Sequence, residues 1–587
     1  MAAPYDEAIE ARSHTDCSRG ITAPFLLSLV AILAGVVGLV SAATPAWHGR
    51  MKIVADVLSP AAPHVADGVL VAASLGLVLV GRGLARRRRR AWQAAVVLLA
   101  AGTVLHLLKG LDFEEAAFDA IVLALLVTFR REFDAHGDPG GPSRALSAAL
   151  LALGGLYGYG IAASALHAAI RGGHFSLAQT LETISFGLIG LDASDHPGRF
   201  QHDLTLSIAA AAVPSAAYVL WLALRPRARP VEQGDGLRDD ARRLVERYGR
   251  DSLSYFALRR DKSYFFNGER SAFVAYRVTG GVALVSGDPV GDPDAIPDLL
   301  REFLAECHRH AWRIAVLGVG SAATASWHAV GLRTLYVGDE AVVLPAQFSL
   351  DGRAIRKVRQ SCARLQKAGY RAVCLRAREL TVEQRRQIGS VNHFWLRGQP
   401  ERGFSMSLDD LLAREHGDGV FTLVLDEAST VAGFVHFVPA PATGDLSLSA
   451  MRRLHDTPNG LMEFALSETF AWARAQGIAR VSLNFNAFGE LLRTDQGLTG
   501  PQRLLRRALS RADRFFQVER LLDFNRKFFP EWQPRYAAFE RYSDLPLAAL
   551  VVLSSESLVT WPDALRRLGR GPGSVRPRAR PQTTPGE

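Results

Sequence analysis

Long apolar runs fill the first part of the chain, and they set its most obvious pattern. Six such runs occur before residue 225, at residues 21–43, 65–84, 91–108, 113–129, 145–170 and 204–224. A helix needs roughly 20 apolar residues to cross the hydrocarbon layer of a bilayer, and most of these runs approach that length. The pattern therefore predicts a transmembrane domain of about six α-helices over residues 21–224, preceded by a short segment at residues 1–20.

The pattern changes at residues 225–238, which begin with the Pro- and Gly-rich run RPRARPVEQGDG and predict a linker. Amphipathic helices alternate with short apolar strands from there on. A first α/β unit over residues 239–345 contains helices at 239–248 and 296–311, hairpin strands around Gly280 and Gly281, and a strand from Trp312.

A similar order of elements returns in a second unit, predicted over residues 346–545. It contains helices at 352–368, 381–387 and 461–476, and strands at 370–376, 420–425, 431–438, 446–450 and 479–484. Two α/β units of similar order predict a duplicated fold of mixed sheets flanked by helices. Residues 546–587 form a tail whose Pro- and Arg-rich end predicts partial disorder.

The charge distribution predicts the kind of partner and the orientation of the chain in the membrane. The net charge of +10 favours an anionic partner, either a nucleic acid or an anionic lipid surface. Arginines collect at residues 86–90, 130–144 and 225–229, all on one side of the predicted spans. The positive-inside rule then places the N-terminus and the C-terminal domain in the cytoplasm. The four cysteines form no CxxC pair, so we expect no metal site.

The order of strands and helix in the second unit is similar to that of GNAT-type acyltransferases. Members that use acetyl-CoA hold its pyrophosphate on a glycine-rich turn at the start of the helix, where backbone N–H groups and the helix dipole favour phosphate. The corresponding residues 452–460 read RRLHDTPNG, with one glycine and an aspartate. A CoA donor is therefore the weaker interpretation, and we expect no cofactor.

Four stretches resemble the C-terminal synthase domain of the MprF-type lysyl- and alanyl-phosphatidylglycerol synthases. They are GDPVGDP at residues 287–293, RAIRKVRQSCARLQKAGY at 353–370, MRR-x4-PNG-x2-EF at 451–464, and FNRKFFPEWQPRY at 524–536. The resemblance implies a helical membrane domain ahead of two GNAT-like units. It also implies transfer of an aminoacyl group from aminoacyl-tRNA to a lipid hydroxyl, with no cofactor.

The resemblance and the chemistry together suggest four catalytic candidates. An aminoacyl ester is already activated, so the enzyme has to position the hydroxyl, take its proton and stabilise an oxyanion. Arg452 is the candidate to grip a lipid phosphate or the tRNA 3′ end, or else a surface arginine. Glu463 either recognises an ammonium or stabilises the start of a helix. Lys527 and Arg535 are candidates for oxyanion or phosphate contacts.

Further residues are candidates for substrate binding. Arg356, Lys357 and Arg359 lie on a basic helix that suits tRNA or anionic headgroups, although a solvated helix face explains them equally well. His393 is either a general base or a structural histidine, in a stretch with Asn392 that suits a pocket.

The remaining candidates are Arg453 and Asn459, within the MRR-x4-PNG motif, and Ser449, two residues before it. Ser449 stands where family members usually have an aspartate that is thought to contact the amino acid. Serine gives no charge to offset an ammonium, so this departure leaves open which amino acid is transferred, and whether any is.

The sequence thus favours a multi-pass membrane enzyme that aminoacylates phosphatidylglycerol or a related lipid, which lowers the negative charge of the membrane and resists cationic peptides. Its expected partners are aminoacyl-tRNA and that lipid, and a homo-oligomer stays open. Two alternatives remain: a GNAT-type transferase that uses acyl-CoA, and a non-catalytic lipid-binding or transport protein with a degenerate transferase domain.

Overall fold

The computed structural model describes residues 23–43, 62–110, 112–133, 135, 141–171, 174–193, 198–224, 234–397, 403–487 and 515–556. Contacts divide the chain into two units. The helical unit comprises Met1–Arg227 with His308–Ala311, and the sheet unit comprises Ala228–Cys307 with Trp312–Glu587. The predicted segment at residues 1–20, most of the linker and the end of the predicted tail lie outside the described residues.

Helices make up the described part of residues 1–227. They are α1 (Ala23–Ala43), α2 (Ala62–Leu84), α3 (Arg89–Gly110), α4 (Phe113–Thr128), α5 (Gly141–Arg171), α6 (Leu177–Gly187) and α7 (Arg199–Leu224). Helices α1 to α4 share a core that includes Leu27, Leu77, Leu99 and Val122, all buried. Small residues let these helices approach closely: a Cβ on Gly81 would lie 2.3 Å from the Ile32 side chain.

Four helices in the described ranges are long and apolar enough to cross a membrane, namely α1, α3, α5 and α7. The apolar part of α2, at Gly68–Leu84, is shorter than this length. Helix α4 has only 16 residues, and Glu114 and Glu115 stand in its first turn. A helix therefore occurs in each of the six predicted runs, but in the described residues length and composition support four of them as spans and not six.

The sheet unit alternates helices and strands. The helices are α8 (Asp235–Tyr248), α9 (Ile296–Arg309), α10 (Thr324–Ala329), α11 (Arg356–Lys367), α12 (Val382–Leu396), α13 (Leu461–Ala475), α14 (Phe515–Arg526) and α15 (Leu545–Ser555). The strands are β1 (Ser263–Phe266), β2 (Ala272–Thr279), β3 (Val282–Ser286), β4 (Val290–Gly291), β5 (Arg313–Gly320), β6 (Arg333–Val343), β7 (Arg371–Arg376), β8 (Val420–Leu425), β9 (Val431–Ala440), β10 (Asp445–Arg453), β11 (Val481–Ala487) and β12 (Glu531–Phe539).

All of these strands belong to one mixed sheet that runs through both predicted α/β units. Its order is β1-β2-β3-β5-β12-β6-β11-β10-β9-β8-β7, with β4 beside β2. Strand β12 comes from the far end of the chain and lies antiparallel between β5 and β6. The two units therefore share a continuous sheet, and a late strand completes the part of it that the earlier residues begin.

Alternation along the strands gives the sheet two apolar faces. On β9, Val435 and Phe437 pack in a core with helices α11 and α13, whereas Phe434 and Val438 pack in the core that contains Ile388 and Val391 of α12. Successive side chains of a strand point to opposite faces, which explains the division. We call these the α13 face and the α12 face of the sheet.

Candidate functional site

The sheet opens between two parallel strands, β10 and β11. They pair only at Leu446 with Val481 and at Ser447 with Ser482. Beyond that point β11 continues along β6 after a register shift, while β10 continues along β9. The two strand ends therefore separate, and we call the opening the β10–β11 split. Ser449 and Arg452 lie on β10 beyond the last pair.

The loop at residues 403–412 is tied to the split by two polar side chains. Asn484, on β11, donates from Nδ2 to the carbonyl oxygens of Leu448 at 2.9 Å and Met406 at 3.2 Å. Ser449 is buried, and its Oγ accepts a hydrogen bond from the Leu408 N–H at 3.3 Å. The structure thus places Ser449 in the wall of the split, where it holds the loop.

Arg452 lies on the α12 face. Met451 packs in the core of the α13 face, so the next side chain on the strand points to the other side. The Arg452 side chain is only 6% exposed. Burial, together with the charges of His416 and Arg452, lowers the pKa of the nearby His436 to about 3, so that imidazole is neutral at physiological pH. Arg452 is therefore a buried cation beside a neutral histidine.

The Pro-Asn-Gly turn after β10 packs tightly on the basic helix α11. Gly460 has φ +91°, and a Cβ there would lie 2.6 Å from the Ser361 Cβ, so only glycine fits this approach without a shift. The Asn459 carbonyl accepts a hydrogen bond from Arg364 Nη2 at 2.6 Å. Arg453 Nη1 donates to the Pro458 carbonyl at 3.3 Å. Arg453 and Asn459 therefore shape this turn.

Two of the predicted catalytic residues meet immediately after the turn. Glu463 stands in the first turn of α13, and its Oε1 lies 2.7 Å from Lys527 Nζ at the end of α14. Lys527 is 43% exposed and Glu463 is 16% exposed, so solvent and small molecules reach the ammonium. Lys527 also lies over the Phe524 ring, 5.1 Å from its centroid. The pair joins a carboxylate and an accessible cation, the two kinds of group that acyl transfer requires.

The basic helix α11 presents exposed cations. Arg356 and Lys357 are exposed at its first turn, while Val358 and Leu365 point into the core. Arg359 is instead tied to the chain, because its Nη1 donates to the carbonyls of Leu350 at 2.6 Å and Gly352 at 3.0 Å. Arg356 and Lys357 are thus accessible to an anionic partner.

His393 lies exposed near the end of α12, but its neighbour Asn392 points elsewhere. Asn392 lines a small pocket of about 90 Å³ on the α12 face, which we call the α12 pocket. The residues that line it are Ile388, Asn392, Asp409, Asp410, Leu411 and Leu412. The predicted pocket around Asn392 therefore exists without His393 in its wall.

Arg535 is buried in a network of carboxylates at the centre of the sheet. Its guanidinium lies 2.7 Å from Asp251 Oδ2, and its Nε donates to Glu340 Oε2 at 2.9 Å. It also donates to Ser252 Oγ at 2.8 Å. Burial lowers the pKa of Arg535, but the charges of Asp251 and Glu340 raise it by more. Arg535 therefore has its partners within the fold, and its role as an oxyanion or phosphate contact stays a prediction.

Asp288, from the GDPVGDP motif, belongs to the same network. It accepts a hydrogen bond from the Gly320 N–H at 3.1 Å. Burial and the charge of Asp251 raise the pKa of Asp288 to about 7, while the charge of Arg535 opposes the shift. The motifs GDPVGDP and FNRKFFPEWQPRY thus meet in the interior through Asp288 and Arg535.

Three polar residues of the site were not predicted from the sequence, namely Asn484, Asp409 and Asp410. Asn484 gave no signal beyond an amide at a strand end, and its left-handed backbone, with φ +69°, is visible only in the structure. Asp409 and Asp410 stand in the run SLDDLL, where two adjacent carboxylates between apolar residues could have drawn attention. Asn392, which lines the same pocket, lies on helix α12, so only the fold brings the three together.

Known proteins are similar to this chain over most of its length. A family model described as "Phosphatidylglycerol lysyltransferase, C-terminal" matches residues 242–539. The chain is 33% identical over 509 residues to the lysylphosphatidylglycerol biosynthesis bifunctional protein LysX of Mycolicibacterium gilvum strain PYR-GCK, an alignment that covers 84% of this chain and 46% of the relative. It is 31% identical over 572 residues to the LysX protein of Gordonia bronchialis, covering 92% of this chain and 49% of the relative. The chain therefore spans about half the length of these curated relatives.

A solved structure shares the fold of the sheet unit. The structure of L-PGS from Bacillus licheniformis superposes with a TM-score of 0.50 at 21% sequence identity, and covers 57% of this chain and 100% of that chain. At this level of identity the similarity supports the fold alone.

Proposed function

The chain belongs to the family of phosphatidylglycerol lysyltransferase C-terminal domains, and from that premise we propose that it transfers an aminoacyl group from aminoacyl-tRNA to a hydroxyl of phosphatidylglycerol. The observation that carries the proposal is the meeting of Glu463 and Lys527 at 2.7 Å. Both residues were predicted from motifs 64 positions apart in the chain, and the fold brings them together beside an exposed basic helix.

The pair supplies the two groups that transesterification needs. The lipid hydroxyl attacks the ester carbonyl as Glu463 accepts its proton, and the resulting oxyanion is stabilised by the Lys527 ammonium. When the tetrahedral intermediate collapses, the bond to the ribose oxygen of the tRNA breaks and Glu463 returns the proton to that oxygen. Carbonyl, proton and carboxylate are restored, and an aminoacyl ester of the lipid remains.

The remaining cations suit anionic substrates. Arg356 and Lys357 are exposed on α11 and attract a tRNA phosphate backbone or lipid headgroups. Arg452 is buried on the wall of the split, where a guanidinium holds a phosphate with a fork of donors. Helices α1, α3, α5 and α7 anchor the chain in the membrane as a multi-pass protein. If α2 and α4 also cross, the arginine-rich residues 86–90, 130–144 and 225–229 share one side, and the positive-inside rule puts the sheet unit on that side, in the cytoplasm.

The test is to express the full chain in cells that lack aminoacylated lipids and to analyse total lipid by mass spectrometry. We expect a new species heavier than phosphatidylglycerol by one aminoacyl residue. In membranes supplied with radiolabelled aminoacyl-tRNA, prior RNase treatment should abolish the product. A product that resists RNase and requires acyl-CoA would overturn the proposed donor, and no aminoacylated lipid at all would overturn the function.

A further inference from the structure

Lys262 is a lysine with no exposed surface, in the interior of the sheet unit. Its Nζ donates to the Phe256 carbonyl at 2.8 Å and to Ser286 Oγ at 2.8 Å. Burial of an ammonium group is costly, and a fully buried lysine is uncommon in proteins. An apolar side chain of similar volume would fill the same space without that cost, so the ammonium calls for a role beyond packing.

The aromatic ring of Phe404 lies against this ammonium. Lys262 Nζ is 4.7 Å from the ring centroid, and Arg277 Cζ is 4.5 Å from it. Phe404 is fully buried, and a cation is attracted to an aromatic face most strongly where both are desolvated. Two cations therefore hold a side chain at the start of the loop at residues 403–412.

The backbone around Phe404 is held by further charged groups. Glu556 accepts the Phe404 N–H at 2.9 Å. Arg259 donates to two carbonyl oxygens of the same loop, those of Gly403 and Ser407. The loop is therefore fixed both by its backbone and by one ring. We call the charged residues that fix it the Phe404 clamp, and they are Arg259, Lys262, Arg277 and Glu556.

The segment held by the clamp also reaches the β10–β11 split. The Met406 carbonyl accepts a hydrogen bond from Asn484 Nδ2 at 3.2 Å, and the Leu408 N–H donates to Ser449 Oγ at 3.3 Å. Contacts with the clamp and contacts with the split thus fall on one short segment, residues 403–408. Because Leu408 is the fourth residue after Phe404, a shift of the ring is passed on to the wall of the split.

The charges of the clamp are unequal in number. Its three cations face two carboxylates, Glu556 and Asp261, and Asp261 lies 2.9 Å from Arg259 and 2.7 Å from Arg277. Burial, together with the charges of the two arginines, lowers the pKa of Lys262 to about 7 against the opposing charges of the two carboxylates. The ammonium is therefore charged below pH 7 and loses its charge as pH rises through that value.

We propose that Lys262 is a positioning residue whose ammonium holds Phe404, and through it residues 403–408, against the β10–β11 split, so that the split keeps the shape in which substrate is bound. This inference rests on the proposed function, because the substrate is that of the proposed transfer. Lys262 touches no substrate itself. A small displacement of the wall lowers the rate of transfer ~10-fold or more, since reacting groups must be closely aligned.

The first measurement compares activity with stability. Lys262→Met removes the ammonium and keeps an unbranched apolar side chain, so kcat/KM for lipid aminoacylation by the full chain should fall ~10-fold. The midpoint of denaturant unfolding should stay the same or rise, because an apolar side chain replaces a buried charge. Arg301→Met, at a side chain 67% exposed on α9, is the matched control and should change neither quantity.

Two outcomes of this comparison would overturn the proposal. One is full activity of Lys262→Met. The other is a fall in activity that is matched by a fall in the unfolding midpoint, since a purely structural lysine would then explain both changes.

A double-mutant cycle tests whether Lys262 acts through Phe404. Phe404→Leu keeps an apolar side chain but loses the ring, and should lower kcat/KM by a similar factor. If the two residues act through one contact, the double variant should be about as slow as either single variant. Losses that multiply in the double variant would show that Lys262 acts independently of the ring, and would overturn the proposal.

The pH profile tests the charge itself. The ratio of native to Lys262→Met activity should fall from ~10 at pH 6 towards ~1 at pH 8.5, because the native ammonium loses its proton in this range. Taking the ratio cancels the titration of the substrates and of Asp288. A constant or rising ratio would overturn the role of the charge.

Hydrogen exchange of the full chain separates this proposal from the function on which it rests. The N–H groups of Phe404 and Leu408 are hydrogen-bonded, so peptides that cover residues 403–408 should exchange ~10-fold faster in Lys262→Met, while peptides from β8 should not change. If no donor yields an aminoacylated lipid but this exchange accelerates, the proposed function fails and the clamp stands. If lipid is aminoacylated and the exchange is unchanged, the clamp fails and the function stands.

Discussion

Two cation–carboxylate clusters come from one short motif and have opposite surroundings. Lys527 forms one ion pair with Glu463 at 2.7 Å and stays 43% exposed, whereas Arg535 is 5% exposed and contacts Asp251 and Glu340. An exposed pair contributes ~1 kcal/mol or less to stability, but breaking a buried one by removing one partner costs ~3–5 kcal/mol. The exposed cation is thus free to serve a substrate, while the buried one is committed to the fold.

One motif therefore supplies two cations in different surroundings, one on the surface and one in the interior. FNRKFFPEWQPRY ends helix α14 with Lys527 on the surface and then enters β12, which places Arg535 among the carboxylates between β5 and β6. We expect a substitution at either position to lower activity, at Arg535 through loss of stability and at Lys527 through loss of the proposed catalytic group. Stability and activity measured together distinguish the two.

The largest effect is expected where the buried cluster is broken. Arg535→Met leaves Asp251, Glu340 and Asp288 without their cation, so the free energy of unfolding should fall by ~3–5 kcal/mol. Denaturant unfolding of the detergent-solubilised chain, followed by tryptophan fluorescence, measures this loss. Arg541→Met removes a side chain that is 48% exposed and should change stability by less than ~0.5 kcal/mol. If both variants lose a similar free energy of unfolding, the difference between the buried and the exposed arginine is wrong.

Breaking the exposed pair should act on the reaction and not on the fold. Lys527→Met removes the group that we propose stabilises the oxyanion, so kcat/KM for lipid aminoacylation should drop ~100-fold or more while the unfolding midpoint stays almost unchanged. Arg526→Met, in which the side chain is 49% exposed and pairs with Asp523 at 4.0 Å, is the matched control and should retain activity. Full activity of Lys527→Met would remove Lys527 from the mechanism.

The buried cluster should also make the stability of the protein depend on pH, through Asp288. Burial raises the pKa of Asp288 to about 7, whereas an unfolded aspartate has a pKa of ~3.9. The folded chain therefore holds a proton that the unfolded chain lacks between these values. The stability from this group is fully present below about pH 4 and is lost as pH rises through 7.

Asp288→Asn removes this dependence, so the stability of the native chain relative to the variant should fall by ~2–3 kcal/mol between pH 5 and pH 8. Unfolding titrations at both pH values measure it. Asp294→Asn, an exposed carboxylate nearby, should follow the native profile. A constant difference between native chain and Asp288→Asn across this range would show that Asp288 stays ionised.

The smallest effect is expected at the split. Ser449→Ala removes the acceptor for the Leu408 N–H, so stability should fall by ~1 kcal/mol. Thermal unfolding measures this, and Ser390→Ala, at an exposed serine on α12, should show less. If both serine variants behave alike, the hydrogen bond from Leu408 does not hold the loop.

The sequence predicted the local elements well because their patterns are local. Strand β8 occupies the predicted residues 420–425, and the predicted helix at 461–476 ends one residue earlier. The family resemblance is confirmed, since four ordered motifs carried it. The helix predicted at 381–387 extends to Leu396, because its capping box marks a start and its weak periodicity hides the end.

Features that depend on contacts between distant segments of the chain could not be predicted from the sequence. The residues around 535 do not indicate that β12 inserts between β5 and β6, so the burial of Arg535 could not be predicted. The same is true of the α12 pocket, where Asn392 and Asp409 come from a helix and a loop that only the fold brings together. Charged residue types reveal candidates for chemistry, whereas tertiary contacts decide which of them are accessible.

The insertion of β12 between β5 and β6 has a consequence for biosynthesis. While the ribosome is still making the residues after β6, both strands present open edges in the middle of the future sheet, and open edges pair readily with other chains. Pairing between segments so distant in sequence is slow, since a long loop must close first. The nascent chain therefore carries its greatest risk of aggregation just before β12 leaves the exit tunnel, and a chaperone that shields β5 and β6 until then would raise the yield of folded protein.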